Sequence, residues 1–358
     1  MPDYTKFILV FLIAFVLSFV FTKLVIWLAR RQGILDYPSS DRKIHSNPTP
    51  LLGGIAIYAS FLFTIFILWQ SYQLTDERIS LSMLAWFLLA GLILIINGFL
   101  DDKYSLPAQV TIWGPILASL VIIIVGLKIN YITHPEGGIL HLDNLFSAGS
   151  SLAVFIPVLI TFIWLLGITY TTKLLDGIDG LTSSIGLIAS LVIFVVSLSW
   201  DVQGSTTSLL SLALAGAILG FLIFNWHPAK IFLGEGGSTF IGFSLGVLAI
   251  ISGSKIATAL LVMGLPVLDI VWVIIRRISR KKAFWRADKQ HLHFRLLSAG
   301  LSQKQVVVFL SLVSLSFGVI SILFTTKAKI GALIALLILM LLLSTWLNYR
   351  LKQKNEFS

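Results

Sequence analysis

Long apolar segments separated by short polar loops follow one another along almost the whole chain. A helix needs about 20 apolar residues to cross the hydrocarbon core of a bilayer. Eleven segments approach this length, so the pattern predicts an all-α polytopic membrane protein with about eleven transmembrane helices. The predicted spans are approximately 7–28, 51–69, 81–100, 111–127, 152–171, 181–200, 208–225, 238–252, 256–275, 305–325 and 329–348.

The composition supports a membrane protein with a single domain. Of the 358 residues, 57% are hydrophobic and only 12% are charged, whereas soluble domains carry about 25% charged residues. No polar stretch is long enough to form a separate domain, so we treat 1–358 as one integral membrane domain. The first apolar segment is too long for the core of a signal peptide, and we expect it to be retained. The absence of cysteine excludes disulfides and cysteine metal sites.

The lysines and arginines predict the orientation of the chain in the membrane. Of the 26 basic residues, 19 fall on one set of alternate loops and six on the other. Because cytoplasmic loops carry an excess of basic residues, the first set is expected in the cytoplasm, with the N-terminus outside and the C-terminus inside. The net charge of +10 then reflects these loops and anionic membrane lipids rather than nucleic acid. The expected location is the cytoplasmic membrane.

Five of the predicted cytoplasmic loops hold nearly all the unusual polar residues, and we expect them to form an active site. They cover about 30–50, 101–110, 172–180, 226–237 and 276–304. The longest outer loop, in contrast, predicts a short hairpin around Glu136. The candidate site residues in or beside the five loops are Lys43, His45, Asn97, Asp101, Asp102, Lys173, Asp176, Asp179, Asn225, Glu235, His291, His293 and Arg295.

Two carboxylates, Asp176 and Asp179, lie three residues apart between two very apolar segments. If this stretch is helical, both lie on one face. Gly177 and Gly180 flank them and would let a ligand approach the backbone closely. Charges between two spans are costly unless they bind a partner, which favours a ligand site. The alternative is a simple turn, which Asp-Gly pairs often mark.

A second acidic pair, Asp101 and Asp102, ends the third predicted span. It is interpreted as a base or as an anchor for a phosphate or metal, and Asn97 one turn earlier strengthens this interpretation. The alternative is a polar helix stop before Pro107.

Glu235 lies among glycines directly before another apolar segment. Free backbone N–H groups at a helix start suit a phosphate, and a carboxylate beside them suits Mg²⁺. The alternative is an ordinary turn. Asn225 is either a ligand or a helix cap.

The segment with His291, His293 and Arg295 places three polar residues at alternate positions. In an extended conformation all three point to one side, where they would contact a phosphate or sugar. The alternative is an ordinary basic loop. Lys43 and His45 contact either the substrate or lipid head groups. Outside these loops, Asp269 is expected to pair with a cation from a neighbouring helix as a structural residue.

Four motifs in order give the chain a resemblance to a known family. They are DD at 101–102, DGIDGL at 176–181, NWHPAKIFLGEGGS at 225–238 and HLHFRL at 291–296. Together they resemble the polyprenyl-phosphate N-acetylhexosamine-1-phosphate transferases, the family of MraY, WecA and TagO. The resemblance covers nearly the whole chain and is nearest to the WecA/TagO branch.

The resemblance implies transfer of N-acetylhexosamine-1-phosphate from a UDP-amino sugar to polyprenyl phosphate, such as undecaprenyl phosphate, with release of UMP. UDP-N-acetylglucosamine is the expected donor, and the step would be the first membrane step of a cell-envelope glycan pathway. It also implies a Mg²⁺ cofactor and a homodimer. By resemblance the acids at 101–102 serve the lipid phosphate and those at 176 and 179 organise the diphosphate or metal. Glu235 is a metal ligand, and His291, His293 and Arg295 contact the sugar-phosphate.

The chain departs from the family pattern at Glu235, Lys173 and Phe294, where the family usually has Asp, Asn and His. We hypothesise that Lys173 pairs with Glu235 and that its ammonium supplies part of the charge that Mg²⁺ supplies elsewhere. A weaker form of the hypothesis keeps Mg²⁺ on Asp176, Asp179 and Glu235 and places Lys173 on a phosphate.

Two other functions compete with the enzyme. A transporter or flippase would place ionisable residues near the membrane midplane, often within internal repeats. Here the acids cluster at predicted cytoplasmic ends and no clear repeat is visible, which favours the enzyme. A relative that has lost activity and only binds lipid or a partner is the other alternative.

Overall fold

The computed structural model describes residues 3–38, 47–71, 79–134, 136, 138–142, 150–200, 205–253, 255–279 and 290–356. These ranges contain fourteen helices and two short hairpins. The helices are α1 (Asp3–Gln32), α2 (Gly53–Ser71), α3 (Leu81–Tyr104), α4 (Ala108–Thr111), α5 (Trp113–Ile124), α6 (Ser151–Leu175), α7 (Leu181–Trp200), α8 (Thr206–Asn225), α9 (Gly234–Ile251), α10 (Ile256–Val262), α11 (Gly264–Ser279), α12 (Leu292–Ser298), α13 (Gln303–Leu323) and α14 (Thr326–Glu356). The strands are β1 (Leu35–Asp36), β2 (Thr49–Pro50), β3 (Tyr131–Thr133) and β4 (Ile139–His141), and both hairpins are antiparallel.

The all-α polytopic fold is confirmed, and each of the eleven predicted segments lies on helix. In the described part of the chain, nine helices are long and apolar enough to cross a membrane: α1, α2, α3, α6, α7, α8, α9, α13 and α14. The segment 256–275 forms α10 and α11, which meet at a bend of 79° and count as one span at most. The segment 111–127 forms a shorter apolar helix. The number of spans and the orientation stay predictions.

Helix α9 lies at the centre of the bundle and is the most buried of the spans, followed by α8. Its first turn packs backbone to backbone against two other helices. A Cβ atom added to Gly98 of α3 would collide with Gly236, and one added to Gly54 of α2 would collide with Gly237. Only glycine permits these approaches, and they bring the start of α9 between the ends of α2 and α3.

The two hairpins lie in loops. The pair β3–β4 encloses Glu136, which confirms the predicted hairpin, while its location on the outer side stays a prediction. The pair β1–β2 joins Leu35 to Pro50, and Pro50 accepts a hydrogen bond from Phe232 just before α9. The loop after α1 is thereby attached to the segment that precedes α9.

Several helices extend into the predicted loops. Because α3 continues to Tyr104, the acidic pair 101–102 is helical. Helix α9 begins at Gly234, so Glu235 lies in its first turn. Helix α6 ends at Leu175, and the stretch 176–180 is a turn, as the Asp-Gly pairs indicate, so its two acids do not share a helix face.

The segment 291–296 is not extended, because α12 begins at Leu292, so the condition for placing its three polar residues on one side is not met. Leu292 and Leu296 are both buried, and their spacing of four is the period of one helix face. The helix buries both leucines on one face. The side chains of His291, His293 and Arg295 consequently point in different directions.

Candidate active site

A cavity of about 530 Å³ lies where the ends of α3 and α6 meet the start of α9. Six carboxylates line it, together with one ammonium, which is the only cation among the described lining residues. The structure therefore brings together acids from separate loops, as the sequence predicts. The charged residues of the lining are Asp36, Asp101, Asp102, Lys173, Asp176, Asp179 and Glu235.

Asp102 is fixed against the N-terminus of α9. Its Oδ1 accepts the backbone N–H of Glu235 at 3.1 Å. Its Oδ2 lies where a Cβ atom of residue 234 would be, and Gly234 also has a φ of +75°. Both facts require glycine at this position. The positive end of the α9 dipole favours the carboxylate of Asp102 at the start of this helix. The neighbouring Asp101 is attracted instead by the ammonium of Lys173.

The ammonium of Lys173 contacts the carboxylate of Glu235 directly, which confirms the pairing predicted from the sequence. Lys173 comes from the last turn of α6 and Glu235 from the first turn of α9. Their side chains are 23% and 11% exposed, so the pair is largely shielded from solvent. The ammonium also lies 5.5 Å from the ring centroid of Tyr170. One carboxylate of the predicted metal set is therefore already paired with a cation.

Asp176 and Asp179 lie in the turn between α6 and α7 and differ in their surroundings. Burial raises the pKa of Asp176 to about 7; a hydrogen bond from Thr182 opposes this shift, and the charges of Glu235 and Asp179 add to it. Asp179 instead accepts the N–H of Ala229 at 3.1 Å, and its Oδ2 lies 2.7 Å from Nδ1 of His227. Asp179 thus ties this turn to the segment before α9.

Asn225 also ties the turn in place. Its Oδ1 accepts hydrogen bonds from the N–H of Gly180 at 3.1 Å and from the hydroxyl of Ser183 at 2.9 Å. Its Nδ2 donates to the carbonyl of Ile231 at 3.0 Å. These bonds show a structural role for a residue that also lines the cavity. Its contact with substrate stays a prediction.

Asn97 is not among the residues that line the cavity. Its Nδ2 donates to the carbonyl of Thr111 at 3.0 Å, and its side chain fills the space left by Gly114. Asn97 therefore attaches α3 to the helices that follow it. The candidates Lys43 and His45 lie outside the described residues.

The two histidines lie behind the cavity wall rather than in it. The Nδ1 of His291 is 2.9 Å from Oδ2 of Asp269, so the predicted partner of Asp269 is a histidine. His293 is buried against Gly177, where a Cβ atom would collide with its Nε2. Burial, aided by His291, lowers the pKa of His293 to about 3, so this ring is neutral at pH 7. Gly177 and Phe294 line the cavity directly in front of the rings.

Arg295 points away from the cavity toward α14. Its guanidinium donates to the hydroxyl and carbonyl of Ser344 at 3.2 and 3.1 Å and to Oδ1 of Asn348 at 2.8 Å. These contacts attach α12 to α14. They give Arg295 a structural role, and its predicted contact with the sugar-phosphate has no support in this geometry.

Two residues of the site were missed by sequence reasoning. Asp36 lines the cavity from β1; it follows the first span on the same predicted cytoplasmic side as the other acids, which was the available signal. His227 contacts Asp179 across 48 residues of sequence. It lies within the quoted NWHPAK segment, but nothing in its spacing indicates an acidic partner.

The cavity offers oxygen donors, which suit Mg²⁺. Within the described ranges, no three His, Asp or Glu side chains are grouped to hold a metal ion. Mg²⁺ usually takes only one or two carboxylates and completes its shell with water and substrate phosphates. The donor set would fit this mode with Asp176 and Asp179 as the protein ligands, since Glu235 is paired with Lys173.

Comparison with known proteins identifies the family. Residues 83–253 match the model of glycosyl transferase family 4. A Bacillus subtilis protein described as a probable undecaprenyl-phosphate N-acetylglucosaminyl 1-phosphate transferase is 31% identical over 325 residues, covering 88% of this chain and 84% of the relative. The decaprenyl-phosphate N-acetylglucosaminephosphotransferase of Mycobacterium leprae is 32% identical, with 90% and 85% covered.

A more distant branch also matches. The phospho-N-acetylmuramoyl-pentapeptide-transferase of Oceanobacillus iheyensis is 30% identical, covering 89% of this chain and 98% of the relative. The matched region of the family model contains all the cavity acids except Asp36. The chain belongs to the family of polyprenyl-phosphate N-acetylhexosamine-1-phosphate transferases that includes MraY, WecA and TagO.

Proposed function

We propose that the protein transfers N-acetylglucosamine-1-phosphate from UDP-N-acetylglucosamine to polyprenyl phosphate and releases UMP. The observation that carries the proposal is the acid-lined cavity at one end of the bundle, where loops from distant parts of the chain meet. The names of the relatives from Bacillus subtilis and Mycobacterium leprae support the choice of sugar and acceptor. In the reaction, an oxygen of the acceptor phosphate bonds to the sugar-bearing phosphorus as the anhydride bond to UMP breaks.

Charge determines how such a cavity can bind these substrates. Both substrates are phosphate anions, and six carboxylates face one ammonium among the described lining residues. Carboxylates repel phosphate unless a cation lies between them. We therefore propose a Mg²⁺ cofactor, which Asp176 and Asp179 would hold. When bound, the metal supplies positive charge to the phosphoryl oxygens.

The protein residues contribute placement and fixed charge. A phosphate monoester is largely ionised near pH 7, because its second pKa is about 6. The acceptor therefore needs positioning and neutralisation more than it needs a base. Lys173 brings an ammonium beside Glu235 and near Asp101, so it can attract the incoming phosphates. Asp102, fixed at the start of α9, holds the two helix ends at a constant separation.

We further propose that the cavity faces the cytoplasm of a multi-pass protein in the cytoplasmic membrane. The distribution of lysine and arginine between the two sets of loops supports this orientation. A site at this boundary receives the nucleotide sugar from water and the acceptor from the bilayer. A homodimer, which rests on the family resemblance, is tested by measuring the mass of the purified protein in detergent.

The proposal is tested by measuring UMP release from purified protein with undecaprenyl phosphate. The donors are UDP-N-acetylglucosamine and, because one relative is a pentapeptide transferase, UDP-N-acetylmuramoyl-pentapeptide. We expect release with the first donor and little with the second. No UMP from any UDP-amino sugar would refute the enzyme, and an Asp101→Asn variant with full activity would refute a catalytic role for Asp101.

A further inference from the structure

Both carboxylate oxygens of Asp269 form hydrogen bonds with the segment 291–292. The residue lies in α11, shortly after the 79° bend. Its Oδ2 is 2.9 Å from Nδ1 of His291, and its Oδ1 accepts the backbone N–H of Leu292 at 2.9 Å. The side chains of Asp269 and His291 are both nearly buried. One bond reaches the imidazole and the other reaches the backbone of the next residue, so Asp269 holds both the ring and the start of α12.

The contact also determines which ring nitrogen carries the proton. An ionised carboxylate can only accept hydrogen bonds, so Nδ1 of His291 must be the donor. The Nε2 atom is then left with its lone pair in the neutral ring, or with a second proton in the imidazolium.

His291 is close to the cavity wall. Its ring is parallel to that of His293, with centroids 5.8 Å apart and an angle of 4° between the planes. His293 packs against Gly177, and both Gly177 and Phe294 line the cavity. The fixed imidazole thus lies one residue layer behind the surface that would hold the sugar-phosphate.

We infer that Asp269 is a positioning residue that holds His291 in the Nδ1–H tautomer and so fixes the imidazole that stacks on His293 directly behind the cavity wall. This inference rests on the proposed function. The simpler alternative is that Asp269 only caps the first turn of α12 through Leu292. The two roles predict different results for one substitution.

The decisive variant is Asp269→Asn. Its amide oxygen can still accept the N–H of Leu292, which keeps the cap. Its amide nitrogen would then face His291 and donate to Nδ1, which forces the ring proton onto Nε2. A positioning role therefore predicts a fall in kcat of about 100-fold, the cost of a small misplacement that starts outside the cavity and reaches its wall, with KM nearly unchanged. A capping role predicts wild-type kcat. Asp269→Glu, which keeps the charge, should recover part of the loss.

The tautomer can be measured without substrate. The chain contains only six histidines, so nitrogen-15 spectra of histidine-labelled protein in detergent are simple, and a His291→Ala variant assigns the signals. We expect Nδ1–H for His291 in the wild type and Nε2–H in Asp269→Asn. In the His291→Ala background, adding Asp269→Asn should not lower kcat further, because Asp269 acts through the ring.

Ser302→Ala is the matched control, because Ser302 caps α13, the next helix, without contacting His291. It should leave kcat unchanged. An Nε2–H tautomer in the wild type, or full kcat in Asp269→Asn, would overturn the inference. Absence of UMP release from the wild type would instead refute the proposed function. The change of the His291 tautomer in Asp269→Asn would then decide by itself whether Asp269 determines which ring nitrogen carries the proton.

Discussion

Replacing Lys173 by methionine removes the ammonium beside Glu235 and keeps an unbranched side chain. Glu235, 11% exposed, is then left as a largely buried carboxylate without its counter-charge. Removal of one partner from a buried ion pair costs about 3–5 kcal/mol. Because Lys173 is 23% exposed, water screens part of the interaction, and we expect a loss near the lower limit, about 3 kcal/mol.

A double-mutant cycle isolates the ion pair from the other contacts of each residue. Glu235→Gln removes the opposite charge, and the double variant removes both. We expect Lys173→Met to be much less destabilising when Glu235 is already glutamine, with a coupling free energy of about 2 kcal/mol. The free energy of unfolding is measured by denaturant titration in detergent micelles.

Lys103→Met is the control for this cycle. Lys103 lies at the end of α3, with its ammonium 5.2 Å from the ring centroid of Tyr104 and an exposed side chain. Its removal should change the free energy of unfolding by no more than about 0.5 kcal/mol. A coupling between Lys173 and Glu235 below about 0.5 kcal/mol, which is the level of independent sites, would refute the ion-pair argument.

Three further predictions concern the cavity. Gly177→Ala should lower both the melting temperature and UMP release, because its Cβ collides with the imidazole of His293. Gly167→Ala, with open space around it, should be nearly neutral. Equal effects of the two substitutions would contradict the close packing at Gly177. His227→Ala should release Asp179 from one of its two partners and raise KM for the nucleotide sugar more than it lowers the melting temperature. EDTA should abolish UMP release and added Mg²⁺ should restore it, because the described lining is strongly acidic. UMP release that persists in EDTA would favour Lys173 as a replacement for the metal.

The pH dependence of stability gives another prediction. Because burial raises the pKa of Asp176 to about 7, the folded protein prefers the protonated acid. The resulting stabilisation is complete below the unfolded pKa of about 3.9 and is lost as the pH rises through about 7. Asp176→Asn cannot ionise, so its melting temperature relative to the wild type should rise between about pH 5 and about pH 8. A constant difference, measured without divalent ions, would contradict the burial argument.

The helices were largely predictable because a spanning segment must be apolar along its whole length. The bend between α10 and α11 was not predictable from hydropathy. The segment is apolar on both sides of the bend, although the helix axis turns there by 79°. Helix ends were predicted too early at Asp101 and too late at Glu235, because charged residues can remain helical where neighbouring helix ends shield them.

The acids of the site were predictable because a charged side chain beside an apolar span is costly unless it binds a partner. The pairing of Lys173 with Glu235 was predictable for a related reason, since the lysine adds a positive charge beside a carboxylate that the family pattern assigns to the metal site. The directions of side chains were not predictable. Arg295 points to α14 because its segment is helical, and His227 meets Asp179 only through the tertiary fold.

The central claim is that the acid-lined cavity transfers a sugar-phosphate to a lipid phosphate. It is tested most directly by incubating purified protein with UDP-N-acetylglucosamine and undecaprenyl phosphate and quantifying UMP and the lipid product by mass spectrometry. We predict equal amounts of UMP and of undecaprenyl diphosphate carrying one N-acetylglucosamine, and neither product when either substrate is omitted. UMP formed without the lipid acceptor, or no lipid-linked sugar in the complete mixture, would contradict the account.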